Sequence, residues 1–258
     1  MTKITDWCTI KSEKVGKHHL TVLELESGKF DVASDTVAAV VPSHYASDER
    51  TAKLLKRLGK TKAAAHLKEK LPKSPQVRSG DLGEILGATY VQESTPFGTS
   101  INKLRWKDHR NMAMRGDDLV GIQPAAGAGN IRFLKGEVKS AANITAKVLD
   151  TARTALKKSH SRPSAHALGF IADRLHEEGN DELADLIDDA LWRDGIRLSQ
   201  VSHMIFAFTG NDASNLLGAN VQTYTGQVAQ SVVGLRVKDH QKFIRSVFRK
   251  VIKNADGK

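Results

Sequence analysis

Glu137 and Lys139 stand two residues apart within the strand-like stretch 131–138 and its continuation. Alternate side chains of a strand point to one face, so these two share a face, about 6–7 Å apart at roughly 3.3 Å per residue. A carboxylate and an ammonium held that close suit metal-assisted attack on a phosphodiester. The carboxylate holds a divalent cation, and the lysine polarises the attacking water or steadies the developing negative charge. A Glu-x-Lys triplet is also a common accident, and taken alone it reads more simply as a surface ion pair on an edge strand. Its meaning depends on the residues around it.

Two further carboxylates qualify. Asp118 directly precedes the apolar run Leu119-Val120-Gly121-Ile122, whereas Asp117 reads as a turn residue. Glu84 lies in a helix expected from about Leu82, with Leu82, Ile85, Leu86 and Tyr90 at helical spacing. Asp81 fits the N-cap of that helix, so Glu84 is also readable as the N3 member of a capping box. Mg2+, or Mn2+ in its place, takes oxygen ligands and keeps several waters. Asp118 and Glu137, with the Val138 carbonyl, could supply those ligands, and Glu84 could hold a second ion or orient a bound water. Lys139 beside the water would offset repulsion among the three carboxylates.

Competing chemistries find little support. There is no G-x-S-x-G for a serine hydrolase and no G-x-x-x-x-G-K-[ST] phosphate loop for an ATPase. Gly127-Ala128-Gly129 reads as part of a hairpin-like loop from Pro124 to Asn130. His18, His19, His160 and His166 lack the acidic or cysteine spacing of a metal site. The single cysteine, Cys8, excludes an intrachain disulfide and fits a reducing cytosol. Without a membrane-length apolar run or a signal-peptide core, the expected location is cytoplasmic. The net charge of +10 points to a polyanionic partner, nucleic acid first.

These residues need elements to position them. Residues 1–46 read as a β-rich opening, with a strand over 19–25, a short apolar run at 37–41 and Pro42 closing it. Helices follow over 48–70, broken at Gly59. The proline-bearing stretch 71–76 reads as a linker, which divides the chain into a small N-terminal α+β region, 1–75, and a larger domain, 76–258. Within the latter, 101–107 alternates like a strand, Asn143 caps a helix, 164–192 is an acidic helical insertion, 201–208 is a strand and 239–254 a helix. The expected class is α/β (α+β): a central mixed sheet flanked by helices. The basic run Lys103, Arg105, Lys107, Arg110 and Arg115 could contact phosphates without reading sequence. Trp106 among them reads as core before it reads as a base-stacking platform.

The stretches 79–84, 116–121 and 136–139 resemble the restriction-endonuclease-like, PD-(D/E)xK nuclease superfamily. That resemblance implies an α-β-β-β-α-β core, with a helix glutamate, an aspartate opening one strand and a Glu-x-Lys on the next. Residues 82–88, 102–110 and the Gly-Asp-Asp-Leu stretch also resemble the HamA family, small subunits of the Hachiman antiphage defence system, over about 79–210. This second resemblance implies a DNA nuclease effector held by a larger helicase subunit, HamB, and released when the helicase senses DNA. The alternatives are a catalytically inactive nucleic-acid-binding or regulatory subunit, and a basic scaffold whose charge serves a protein partner.

Overall fold

Cys8–Val15 (β1) and His18–Leu25 (β2) form a two-residue hairpin. Gly16 takes φ +60° at its first turn position, where a side chain would be strained. The computed structural model describes residues 2–124 and 131–256. The apolar run expected to continue the β-rich opening is instead the middle of a helix, Phe30–Tyr45 (α1), with Pro42 inside its last turn. A short apolar run does not distinguish strand from buried helix by itself. Here Ala33, Val37, Val41 and Tyr45 recur at helical spacing and are all buried. Asp48–Leu58 (α2) and Lys60–Lys70 (α3) are separated by Gly59 at φ +79°, as expected.

Pro75–Ser94 (α4) begins seven residues before the expected start. Proline is well tolerated in a first helical turn, where its missing N–H has no helical partner anyway. Asp81 is therefore a mid-helix residue and not a cap. The segment expected as a strand over 101–107 is a 3-10 turn, Lys103–Trp106. Only Gly98 bridges to the sheet here, through a pair of hydrogen bonds with Ile122.

Leu119–Pro124 (β3) and Ile131–Ala141 (β4) pair antiparallel, with Leu119 opposite Gly136. Residues 125–130, most of the expected hairpin-like loop, lie outside the described residues. Ala146–Lys157 (α5) is capped by Thr145, whose Oγ1 accepts from the Val148 N–H, rather than by Asn143. Ala165–Glu177 (α6) and Asp181–Asp188 (α7) form the acidic helical pair. Val201–Thr209 (β5), Ser214–Gln222 (α8), Ala229–Arg236 (β6) and His240–Asp256 (α9) complete the chain.

The strands form one mixed sheet in the order β1-β2-β6-β5-β4-β3, with β2, β6, β5 and β4 parallel. Helices cover both faces, which is the α/β class expected. Leu82 and Ile85 of α4, Phe243 of α9 and Val37 of α1 bury one face with Phe206 and Val138. Leu149 of α5 and Leu217 of α8 bury the other with Ile205 and Val232. A third cluster joins Ile122 and Phe133 to Leu168 and Ile187 under α6 and α7. Two glycines let α4 lie close on the sheet. A Cβ at Gly83 would meet the Ser140 Cβ at 3.0 Å, and one at Gly87 would meet the Leu119 Cδ1 at 2.8 Å. That close approach packs the Glu84 turn of α4 against β4 and Leu119, the first residue of β3.

Candidate active site

Along β4, Leu134 and Val138 point into the core beneath α4, so Glu137 and Lys139 share the opposite face. The strand runs on past the start of β3. Residues Glu137 to Ala141 pair with β5 on one side and have no β3 ladder on the other. The Val138 N–H, left without a ladder carbonyl, donates to Asp118 Oδ2 at 2.9 Å. Asp118 therefore caps the open edge of β4 and, one step beyond the Leu119–Gly136 pair, stands opposite Glu137. Glu137 Oε1 accepts from Lys139 Nζ at 2.6 Å, and both side chains are mostly covered.

Glu84 approaches from α4. Its Oε2 lies 2.9 Å from Lys103 Nζ, and that ammonium also donates to the Asp117 carbonyl at 3.0 Å. The Glu84–Lys103 contact is one of charge; Oε2 is buried without an aligned hydrogen bond. Burial raises the Glu84 carboxyl to about 7, with the Asp118 charge adding and Lys103 opposing. Glu137 is raised for the same reasons, burial first and then Asp118, against the pull of Lys139. Both carboxyls thus feel the field of Asp118, and the three share one neighbourhood.

Asp117 is tied into the fold. Its Oδ2 accepts from the Ser164 N–H at 2.7 Å, and Oδ1 lies 3.3 Å from the buried Lys135 ammonium. The capping-box reading of Glu84 falls because α4 starts at Pro75. Asp81 accepts from Lys107 Nζ at 2.9 and 2.8 Å through its two oxygens, and from the Tyr45 hydroxyl at 2.6 Å. Sequence reasoning missed this buried cluster. The available signal was spacing: residues three apart on a helix share a face, so Asp81 and Glu84 belong together.

Most of the basic run is engaged internally. Lys103 holds Glu84, and Lys107 holds Asp81. Arg105 donates to the Ser43 carbonyl at 2.8 Å and reaches Glu178, while Arg110 reaches the Glu69 carbonyl and carboxylate. Only Arg115 of the five has no ion pair or side-chain hydrogen bond among the described residues, and it is exposed. A cavity of about 380 Å³ opens beside Glu84 and Asp118, walled by α4, residues 99–120 and α6. Trp106 lines it, edge-on to Phe170 with ring centroids 5.9 Å apart.

The carboxylate oxygens are hard donors of the kind Mg2+ takes. Among the described residues, however, no group of three or more His, Cys, Asp or Glu side chains is gathered closely enough to enclose an ion. The Glu84 and Glu137 side chains are drawn to lysines instead.

A pH dependence follows. A carboxyl whose folded pKa lies above its unfolded value favours folding below the unfolded pKa, and that contribution is lost as pH rises through the folded pKa. For Glu84 the window runs from about 4.5 to about 7. Glu84→Gln cannot ionise, so it should be more stable than the parent at pH 8, by on the order of 2–3 kcal/mol. The advantage should shrink to little at pH 4.5. Urea unfolding at the two pH values measures this; a Gln variant less stable at pH 8 would contradict it.

The HamA family model matches residues 2–251. Hachiman protein HamA from Bacillus cereus is 26% identical over 231 residues, covering 88% of this chain and 82% of that protein. Among the described residues no helix is long and apolar enough to cross a membrane.

Proposed function

Starting from the fact that this chain belongs to the HamA family, we propose that it is a metal-dependent DNA nuclease of the PD-(D/E)xK kind, serving as the effector of an antiphage defence complex. The observation that carries this reading is Asp118 Oδ2 accepting the Val138 N–H, next to Glu137, whose ion-pair partner Lys139 lies on the same strand face. Kinship with a Hachiman protein supports the defence role. The proposal includes a larger helicase subunit of the HamB kind as the partner that holds the effector, as the resemblance of residues 82–88 and 102–110 implies.

Mg2+ would be held by Asp118 and Glu137, with Glu84 as a further ligand or as a partner of a bound water. The donor chemistry fits, since carboxylate oxygens are the hard ligands this cation takes. When bound, the cation would polarise the phosphodiester and lower the pKa of its water. The chain's own residues supply the rest. Asp118 is fixed by the Val138 N–H, so its carboxylate cannot swing away from the open edge of β4. Glu137 holds the Lys139 ammonium on its own face of β4, and an ammonium at the site would lessen the cost of the developing charge. Lys103 keeps Glu84 ionised in part by opposing its burial.

The test uses supercoiled plasmid with the purified chain, alone and with its partner, in Mg2+ or EDTA. Asp118→Asn keeps an acceptor for the Val138 N–H but loses the charge. We expect Mg2+-dependent cleavage by the parent, and a loss of about 10²–10³-fold in Asp118→Asn without a fall in melting temperature. Full activity in Asp118→Asn would remove Asp118 from the site. DNA binding without cleavage, alone and with partner, would favour the non-catalytic subunit.

A further inference from the structure

The geometry points to the cavity beside Asp118 and Glu84 as the seat of a nucleobase, belonging to the substrate nucleotide next to the scissile phosphate. This rests on the nuclease reading and specifies how that site takes its substrate.

Three observations converge. First, Glu84 and Asp118 form part of the cavity wall. Glu137 and Lys139 are not part of its wall, so the cavity lies beside Glu84 and Asp118 and not over the Glu-x-Lys pair. A group one or two bonds from a phosphate held at those carboxylates is a nucleoside. Second, the wall carries Trp106 and Phe170, with planes at 87°. The guanidinium of Arg174 stands 5.7 and 5.3 Å from the two ring centroids and is paired to Glu177, which holds the rings in place. Aromatic side chains lining a cavity offer stacking that any base can use. Third, Arg115 lines the cavity and, among the described residues, has no ion pair or side-chain hydrogen bond, unlike its basic neighbours. It is the cation of that run left available for a phosphate. At about 380 Å³ the cavity falls in the range of pockets that take a small organic ligand. An unpaired base is such a ligand, whereas a paired one inside a duplex cannot enter. The nuclease would therefore grip a single-stranded or locally opened strand at this point.

The experiment uses the full chain carrying Glu137→Gln, with EDTA present, and a short fluorescent single-stranded DNA. Its counterpart has the same phosphates with abasic tetrahydrofuran residues in place of bases. The abasic strand should bind about tenfold more weakly, or worse. Trp106→Leu and Phe170→Leu should each remove most of that difference, while Trp192→Leu, at an exposed residue, should leave it. Arg115→Ala should weaken both strands and preserve their ratio. Melting curves of each variant separate loss of a contact from loss of fold, and Phe170→Leu is the milder change should Trp106→Leu unfold.

Equal binding of the two strands by a folded protein overturns the inference, as does a difference that survives both aromatic substitutions. If Phe170→Leu instead prevents assembly with a protein partner and leaves DNA binding untouched, the cavity docks a peptide and the nucleotide assignment falls. Mg2+-dependent cleavage by the unsubstituted chain is scored separately. Base discrimination without cleavage, alone and with the partner, would defeat the nuclease reading and leave the pocket. Normal cleavage, with abasic strands cut as fast as normal ones, would defeat the pocket alone.

Discussion

Glu137→Ala and Lys139→Ala should each lower Mg2+-dependent plasmid cleavage by about 10²–10³-fold, the usual cost of removing one preorganised electrostatic group. Neither change should unfold the protein. Both side chains are mostly covered, and loss of their charged hydrogen bond should cost about 1–3 kcal/mol, less than the roughly 5–15 kcal/mol that holds a domain folded. The two losses should differ in their pH dependence. Glu137→Ala removes a carboxylate and leaves Lys139 free. Lys139→Ala leaves Glu137 facing Asp118 without its cation, which pushes the already raised Glu137 carboxyl higher. Residual activity of Lys139→Ala should therefore climb with rising pH more steeply than that of Glu137→Ala. Lys139→Arg should not rescue, because a planar guanidinium cannot place its charge where a compact ammonium does. The measurement is a plasmid time course with melting temperatures in parallel. Activity within tenfold of the parent in either alanine variant would remove that residue from the chemistry.

Those two residues were legible because strand geometry is local. The Glu-x-Lys face follows from a period of two, and β4 is the strand the sequence reading anticipates, extended to Ala141. The placement of Asp118 was legible in part. Its position before an apolar run marks the start of β3, but its bond to the Val138 N–H depends on register, which no single strand encodes. Val37 to Val41 misled because a run of apolar residues fits a buried strand and a buried helix equally. Asp81 misled for another reason. An aspartate before an apolar repeat looks like a cap, and only tertiary contacts to Tyr45 and Lys107 reveal a carboxylate buried in mid-helix. The basic run shows the same limit. Charge density along the chain does not say which cations face solvent, and Lys103, Arg105, Lys107 and Arg110 face carboxylates and carbonyls of their own chain. The sheet's inner strand β6 and edge strand β1 escaped notice because neither has a run of alternation long enough to stand out.

Lys107→Met should destabilise the protein by about 3–5 kcal/mol, because it strands a buried carboxylate. The side chains of Lys107 and Asp81 are 5% and 4% exposed. The Asp81 carboxyl is raised by burial even with Lys107 and Tyr45 bonded to it. Without the lysine it rises further and takes up a proton in the folded state. Such a group favours folding at low pH and loses that contribution as pH rises through its folded value. The deficit of Lys107→Met should accordingly be small near pH 4 and large at pH 8. Asp81→Asn in the Lys107→Met background removes the charge while keeping an oxygen for the Tyr45 hydroxyl, and should recover most of the loss. Urea unfolding of the four proteins as a double-mutant cycle measures the coupling. Additive losses at pH 8 would show that the two residues do not act as a pair. The same cluster anchors the segment that carries Lys103, four residues earlier, and hence the ion that faces Glu84. Lys107→Met should therefore also slow plasmid cleavage under conditions where it remains folded, because Lys107 is held by Asp81 and anchors the segment that carries Lys103.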